Sequence, residues 1–570
     1  MHSEQAYDIY GPLLAHARAD VRIRTFALLL ASSSTATPLH NAVLQCLTSH
    51  MKYLYGDSDP QNRSEVMSIM RKLVIRLQGG ACSLHKYLAN QPSQSSEKES
   101  ENSCNSLCQH EKFLVSLVKF LEDELRPNVS YQRHIMALNS LEYLVRSGLD
   151  DTVAQGLSAE IGRNQTPWPF NVSLHHGSLT CALLNLLMDP FEDVRTASSM
   201  LLDIFASTVA VPMQRPVCEL VWKAEELASR TSRADHADGA ARMYKLYCTL
   251  MPDSSIPAIL SALPSKRAVI ENILLPVEKV LAEIEGNLDV PLQQISLHAR
   301  LLALRYLLQD QKSPVDTYED EASKTLIGET LIERMIFLCQ QVWEKVRGRL
   351  CVDSPENAES DVGDEVIAGP KDILSYSWRG LRDSSLLLCA ILGSAIFKER
   401  DAMSLSKLKA LEAMGHLCID QLSNLRHRGA FSTVAQTFSV LCGRIAESND
   451  DAASRLRDMW YESAVTTLNH QATRLTRRSA GLPAMMLGLL TGCSRAFFNR
   501  FIDSFKERAR NPSNFSKLVW ENDDQQIELP QVHALNCLRE VFTNARFRII
   551  TEPHVLDMLD LAASSLSCDM

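Results

Sequence analysis

Apolar residues return every third or fourth position along almost the whole chain, and strict alternation of apolar and polar residues is nearly absent. That spacing is the period of amphipathic helices, so helices are expected throughout and strands are not. Five segments share one pattern: a turn, an acid or other polar residue, a β-branched residue, a basic residue nearby, then Ala and Leu at helical spacing. They are "ADVRIRTFALLLAS" (Ala19–Ser32), "NVSYQRHIMALNSLEYLV" (Asn128–Val145), "DPFEDVRTASSMLLDIFA" (Asp189–Ala206), "PLQQISLHARLLALRYLL" (Pro291–Leu308) and "LPQVHALNCLREVF" (Leu529–Phe542).

The pattern resembles the second helix of HEAT or armadillo repeats, in which the acid caps the helix start and the arginine packs against the neighbouring repeat. The chain has 570 residues, and single cores stop growing near about 250–300. An all-α fold is therefore expected, an α-solenoid whose helical pairs bury their faces against neighbours. A non-repeating multidomain helical protein is the alternative, since no strict repeat length emerges. Two polar stretches interrupt the pattern. "NQPSQSSEKESENSCNS" (Asn90–Ser106) reads as a disordered insert, and "CVDSPENAESDVGDEVIAGP" (Cys351–Pro370) as an acidic linker. The expected organisation is N-terminal repeats over 1–350, the linker over 351–370, and a distinct helical region over 371–570.

Charge sharpens that division. The net charge is −10, yet Lys371–Arg500 holds 17 Lys/Arg against 11 Asp/Glu, an excess of +6. A basic segment within an acidic chain points to a surface for a polyanion. The 15 cysteines lie singly, mostly in apolar helical text, and read as reduced core residues of an intracellular, cytoplasmic protein. The longest apolar run, "SSLLLCAILGSAIF" (Ser384–Phe397), is too short to span a bilayer, so no membrane is expected.

Enzyme signatures are missing. The sequence has no GxGxxG after a strand, no phosphate-binding GxxxxGK[ST] loop, no HExxH and no CxxC. Cys104, Cys108 and His110 space three ligand types closely, without a second cluster to complete a tetrahedral site. His175-His176 reads as a loop leading into a helix. His416 and Cys418 share a helix, where a half-buried histidine is the simpler reading than a nucleophilic pair. A self-sufficient enzyme would need a strand-rich cofactor domain, and none is predicted.

Three basic clusters stand out in the +6 segment. Trp378, Arg379 and Arg382 lie in "SYSWRGLRDSSLLL"; Arg426, His427 and Arg428 precede Gly429 in "NLRHRGAFSTVAQTF"; Arg477 and Arg478 precede Gly481 and Pro483 in "LTRRSAGLPAMMLGLL". Each is read as preceding a packed helix. Arginines suit a helix N-terminus poorly, but a phosphate meeting the free N–H donors there would favour them. Three such starts on consecutive repeats would form a basic strip. Alternatively, each arginine pairs with an acid of the neighbouring repeat, such as Asp383 or Glu447.

These strings, with "VHALNCLREVF", resemble the signature region of the THADA family over about Ser375–Arg546. The run Arg477, Arg478, Ser479, Ala480, Gly481, Leu482, Pro483 is the most specific element. The resemblance implies a large helical solenoid that is not itself a catalyst. It would bind an FtsJ-like tRNA ribose 2′-O-methyltransferase and direct it to position 32 of the tRNA anticodon loop. No cofactor is then expected on this chain, S-adenosylmethionine being held by the partner enzyme. The RRSAGLP residues carry over as the functional motif, and RNA or partner contact is expected at Arg426, His427, Arg428, Trp378 and Arg379 beside them. Against family members the chain reads as short, with further repeats expected after Val532–Phe542. A general protein-interaction solenoid without an RNA role is the competing reading.

Overall fold

The computed structural model describes residues 9–90, 97–154, 167–250, 266–283, 296–309, 329–351, 370–394, 397, 404–425, 428–448, 450–471, 481–510 and 530–566. Every regular element among them is a helix. The chain divides into two compact units, one of Met1–Ala228 with Arg233–Leu263, the other of Ser229–Ser232 with Pro264–Met570. The division therefore falls well before the acidic stretch at 351–370, most of which lies outside the described residues.

In the first unit, α1 (Tyr10–Leu14), α2 (Ala19–Leu29), α3 (Asn41–His50), α4 (Pro60–Ala89), α5 (Glu97–Glu124) and α6 (Tyr131–Arg146) pack in two layers. Helices α1, α3 and α5 stack in one layer, and α2, α4 and α6 in the other. After the short α7 (Asp151–Ala154) come α8 (Gly177–Leu186), α9 (Glu192–Thr231) and α10 (Ala234–Thr249).

The expected arginine role is visible in the second-layer helices. Arg22 Nη1 donates to the carbonyls of His16 and Ala17, both at 2.8 Å. Arg63 Nη1 reaches those of Asp57 (3.0 Å) and Ser58 (2.7 Å), and Arg195 Nη1 those of Asp189 (2.7 Å) and Pro190 (3.0 Å). Each guanidinium thus satisfies two carbonyls of the turn before its own helix, groups that would otherwise be left unpaired at the repeat boundary. Carboxylates tie successive repeats: Arg22 Nη2 to Asp57 at 2.9 Å, and Arg195 Nε to the buried Asp238 at 2.6 Å, which also holds Arg242 Nε of its own helix at 2.9 Å. The expected acid cap is displaced at Asp189, which lies two residues before the N-cap position Phe191 and whose Oδ1 accepts from the Phe191 N–H at 2.8 Å, closing the turn ahead of the helix. It does not hold at Asp20, which sits inside the first turn of α2 and pairs with Arg18 instead.

The insert expected at 90–106 is only partly a break. Residues 91–96 lie outside the described residues, but Glu97–Ser106 form the first turns of α5. A helix already nucleated on the buried Phe113, Leu114, Leu117 and Leu121 extends at little cost, and Glu101 and Asn102 face water. Low hydrophobicity marked an exposed helical extension, not a chain without structure.

The second unit continues the two-layer pattern. One layer holds α11 (Lys266–Glu283), α13 (Glu329–Leu350), α15 (Leu405–Asn424), α17 (Asp451–Gln471) and α19 (Arg495–Arg510). The other holds α12 (Leu297–Gln309), α14 (Pro370–Gly393), α16 (Arg428–Ser448), α18 (Gly481–Leu489) and α20 (Pro530–Thr543), each packed on the next. The short α21 (Arg548–Thr551) and α22 (Val555–Leu566) follow. Trp343, Trp460, Phe438, Phe498, Phe501 and Phe505 fill the space between the layers. Among the described residues, no helix is long and apolar enough to cross a membrane.

Cysteine usage follows the helical periodicity, with Cys104 and Cys181 as departures. Cys248, Cys339, Cys418, Cys442 and Cys537 are buried, and Cys218 and Cys389 half-buried, whereas Cys181 is exposed.

Candidate functional site

The signature residues that the structure describes fall on the second of these layers in the second unit. Helices α14 and α16 are held side by side at two points with the same offset: Thr437 Oγ1 donates to the Ser385 carbonyl at 3.0 Å and Arg444 Nε to the Leu392 carbonyl at 3.1 Å, 52 residues apart in both cases. The helices therefore run parallel, and the start of α16 at Arg428 stands level with Tyr376 on α14. The next step is similar. Gly488 of α18 lies against the Phe438 ring of α16, and Gly443 faces Thr491. The start of α18 at Gly481 is thus level with Phe431 and, one helix further, with Arg379. Arg379 on α14, Phe431 near the start of α16 and Gly481 at the start of α18 therefore share one level of three adjacent parallel helices.

Within that level the positions differ. Trp378, Arg379 and Arg382 were expected ahead of a helix, but they lie inside α14, which starts at Pro370 with Asp372 in its first turn. Proline at the first position and an early acid are the usual start signals, and they place the beginning two turns earlier. Arg428 is the first residue of α16. Arg426, His427, Arg477, Arg478, Ser479 and Ala480 lie outside the described residues, as does the side chain of Arg428.

Gly481 and Pro483 open α18 and do not interrupt it. Proline costs little in the first turn, where its missing N–H would have no helical partner anyway. Gly481 is required by contact: a Cβ there would lie 1.8 Å from the Leu422 carbonyl oxygen and 2.8 Å from its carbon. The start of α18 presses backbone to backbone on the end of α15, and only a residue without a side chain fits.

On α14 the charged groups form a fixed network. Arg382 donates from Nε (2.9 Å) and Nη2 (2.8 Å) to Oδ1 of Asp383, which is 1% exposed. The other carboxylate oxygen receives His298 Nδ1 from α12 at 3.1 Å. The His298 ring stands edge-on to Tyr376, 4.3 Å between centroids. Burial holds the His298 pKa below its ordinary value against the pull of Asp383, so the ring is neutral and donates from Nδ1. Arg379 donates from Nη2 to the Ser232 carbonyl at 2.8 Å, and burial lowers its pKa. Arg379 braces the fold through this bond. Arg382 is more open, its side chain 32% exposed, with its guanidinium carbon 5.5 Å from the Trp378 ring centroid. Glu447 pairs with Arg444 at 2.7 Å, within its own helix.

The other sequence candidates resolve as structural groups. His110 Nδ1 bonds the Ser106 carbonyl at 2.8 Å, and its Nε2 accepts the Leu39 N–H at 3.2 Å. Both nitrogens are used, so the CNSLCQH histidine is a core residue. His175 Nδ1 meets Asp150 at 2.9 Å and His176 Nε2 meets Glu122 at 3.2 Å, fixing the turn that starts α8. His416 is exposed and not half-buried, whereas Cys418 is buried, so the two point apart. Among the described residues no group of His, Cys, Asp and Glu could hold a metal ion. Sequence reasoning missed His298, whose only signal is a lone histidine on the apolar face of "SLHARLL".

Stacked helical pairs bound by arginines define a helical-repeat protein. Two family models match it: "THADA/TRM732, DUF2428" over residues 330–570 and "Trm732, TPR repeats" over residues 2–196. The chain belongs to the THADA/Trm732 family. It is 25% identical to the tRNA (32-2′-O)-methyltransferase regulator trm732 of Schizosaccharomyces pombe, with 98% of this chain and 36% of that protein covered. It is 24% identical to the tRNA (32-2′-O)-methyltransferase regulator THADA of Mus musculus, covering 95% of this chain and 31% of that protein. The chain thus spans about a third of the length of these relatives. Among solved structures, that of Kap121p covers 99% of this chain and 66% of its own at 9% identity, but with a TM-score of 0.22 the likeness carries no argument.

Proposed function

We propose that this chain is the non-catalytic, regulatory part of a tRNA ribose methylation system. It would bind an FtsJ-like 2′-O-methyltransferase and the tRNA anticodon stem-loop, and direct methylation to ribose 32. The observation that carries this reading is the family match across both units, together with Gly481 and Pro483 of the signature motif at the start of α18, level with Arg379 on α14. S-adenosylmethionine and the catalytic groups are assigned to the partner, and the cytoplasm is the proposed compartment.

The physical role of such a scaffold is to hold enzyme and substrate together. Tethering raises their effective concentration, and a fixed geometry selects which ribose reaches the active site. Arg426, Arg428, Arg477 and Arg478 are assigned to RNA or partner contact. Gly481 and Pro483 set the backbone that presents the motif.

The test is methylation of the anticodon loop by the purified partner with wild-type chain or the Arg477→Ala/Arg478→Ala variant, alongside pull-down of the enzyme and tRNA binding. Loss of methylation with weakened tRNA or enzyme binding is expected. Unchanged methylation and binding would remove the assignment and favour a protein-interaction solenoid without an RNA role.

A further inference from the structure

The exposed part of α14 has a feature that a bracing network does not explain. Arg382 lies over Trp378 one turn away, with the guanidinium carbon 5.5 Å from the ring centroid, and its side chain is 32% exposed. Its Nε and Nη2 are fixed by Asp383, while Nη1 makes no hydrogen bond among the described residues. Asp383 is itself fixed by His298, so the guanidinium plane is locked in orientation. At the matching level of α16, Gly429, Ser432 and Gln436 are exposed.

We infer that the Trp378–Arg382 pair is a stacking platform for one unpaired base of an RNA loop, the base lying on the guanidinium plane and the adjoining phosphate meeting Nη1. An aromatic ring backing a planar cation is the arrangement on which unstacked bases rest. Only a base free of a duplex exposes its face to such a platform. The charge fits as well: the platform lies in a segment with an excess of +6. The inference rests on the proposed tRNA role and narrows it, because it assigns the loop, not the paired stem, to α14. Asp383 and His298 are positioning residues in this reading and do not touch the RNA.

The experiment measures binding of the full chain to an anticodon stem-loop RNA and to the same stem closed as a blunt duplex, at two salt concentrations. Wild type is compared with Trp378→Leu, Trp378→Phe and Arg382→Lys, with the thermal transition checking that each variant folds. Trp378→Leu removes the ring that backs the guanidinium and is expected to weaken loop binding by about tenfold, the range for loss of a partly desolvated cation–π contact. Trp378→Phe retains most of the affinity. Arg382→Lys keeps the charge, so it weakens loop binding while leaving the salt dependence near wild type. None of the three changes duplex binding. Equal weakening of loop and duplex would overturn the platform, as would wild-type loop affinity in Trp378→Leu. If RNA binding is intact in Trp378→Leu but the methyltransferase no longer co-purifies, the surface docks protein and the inference falls while the scaffold role stands. If wild type binds neither RNA, both fall.

Discussion

Replacing Gly481 with alanine tests the account of the signature motif directly. The added Cβ would sit 1.8 Å from the Leu422 carbonyl oxygen, where nothing flexible can yield. Contacts below about 3 Å are not tolerated in packed interiors, so the start of α18 must move away from α15 by more than ~1 Å. Overpacking of this kind costs about 1–3 kcal/mol, and the helix propensity gained from alanine, at most about 1 kcal/mol, is smaller in the first turn. At about 2–4 °C per kcal/mol, a net ~2 kcal/mol lowers the thermal transition of the second unit by about 4–8 °C. Gly443→Ala is the matched control. Its Cβ would find only the Thr491 methyl at 3.9 Å, an ordinary contact, so it should unfold at or slightly above wild type. Calorimetry of both variants gives the answer. A Gly481→Ala chain that unfolds at or above wild type would show that backbone contact does not require this glycine.

Other outcomes follow from the same structure. His134 Nδ1 faces Asp189 and its Nε2 faces the Arg126 carbonyl, each at 3.2 Å, so both nitrogens donate only in the imidazolium. Burial opposes that charge, but the hydrogen bonds to Asp189 and Arg126, with the nearby Glu124, outweigh it and raise the pKa above the ordinary 6.5. The stability gained is fully present below the unfolded value and is lost as pH rises through the folded one. Urea melts from about pH 6 to about pH 9 should therefore show wild type losing its advantage over His134→Gln, and a pH-independent difference would contradict the charged assignment. Asp238→Ala leaves Arg195 and Arg242 buried together without their shared carboxylate. The expected loss is about 3–5 kcal/mol, read as a fall in the denaturant midpoint. Burial pushes the Cys442 thiol up to about 12, and raises those of Cys339, Cys418 and Cys537 as well. A thiol reagent should label Cys104 and Cys181 in the folded chain and reach these four only on unfolding; labelling of Cys418 in native protein would contradict the packing.

Periodicity alone determined that this protein is helical and which face of each helix is buried. The acid and arginine pattern marked the repeat-joining helices, and Arg195 does bind the turn before its own helix and Asp238 of the next. The motif strings marked the segment where the family signature lies. Tertiary structure decided everything that depends on the offset between helices. The 52-residue step from α14 to α16 puts Arg428 level with Tyr376, and no local spacing encodes that step. The same holds for Gly481, whose need for a bare backbone comes from Leu422 on another helix. It holds also for His134, whose pKa is raised because its ring meets Asp189 across 55 residues, and for Arg382, oriented by a carboxylate that His298 holds from 85 residues away. A sequence fixes which side of a helix avoids water because that preference is local. Which groups then meet across the interface depends on how neighbouring helices slide and pack, and only the folded chain sets that.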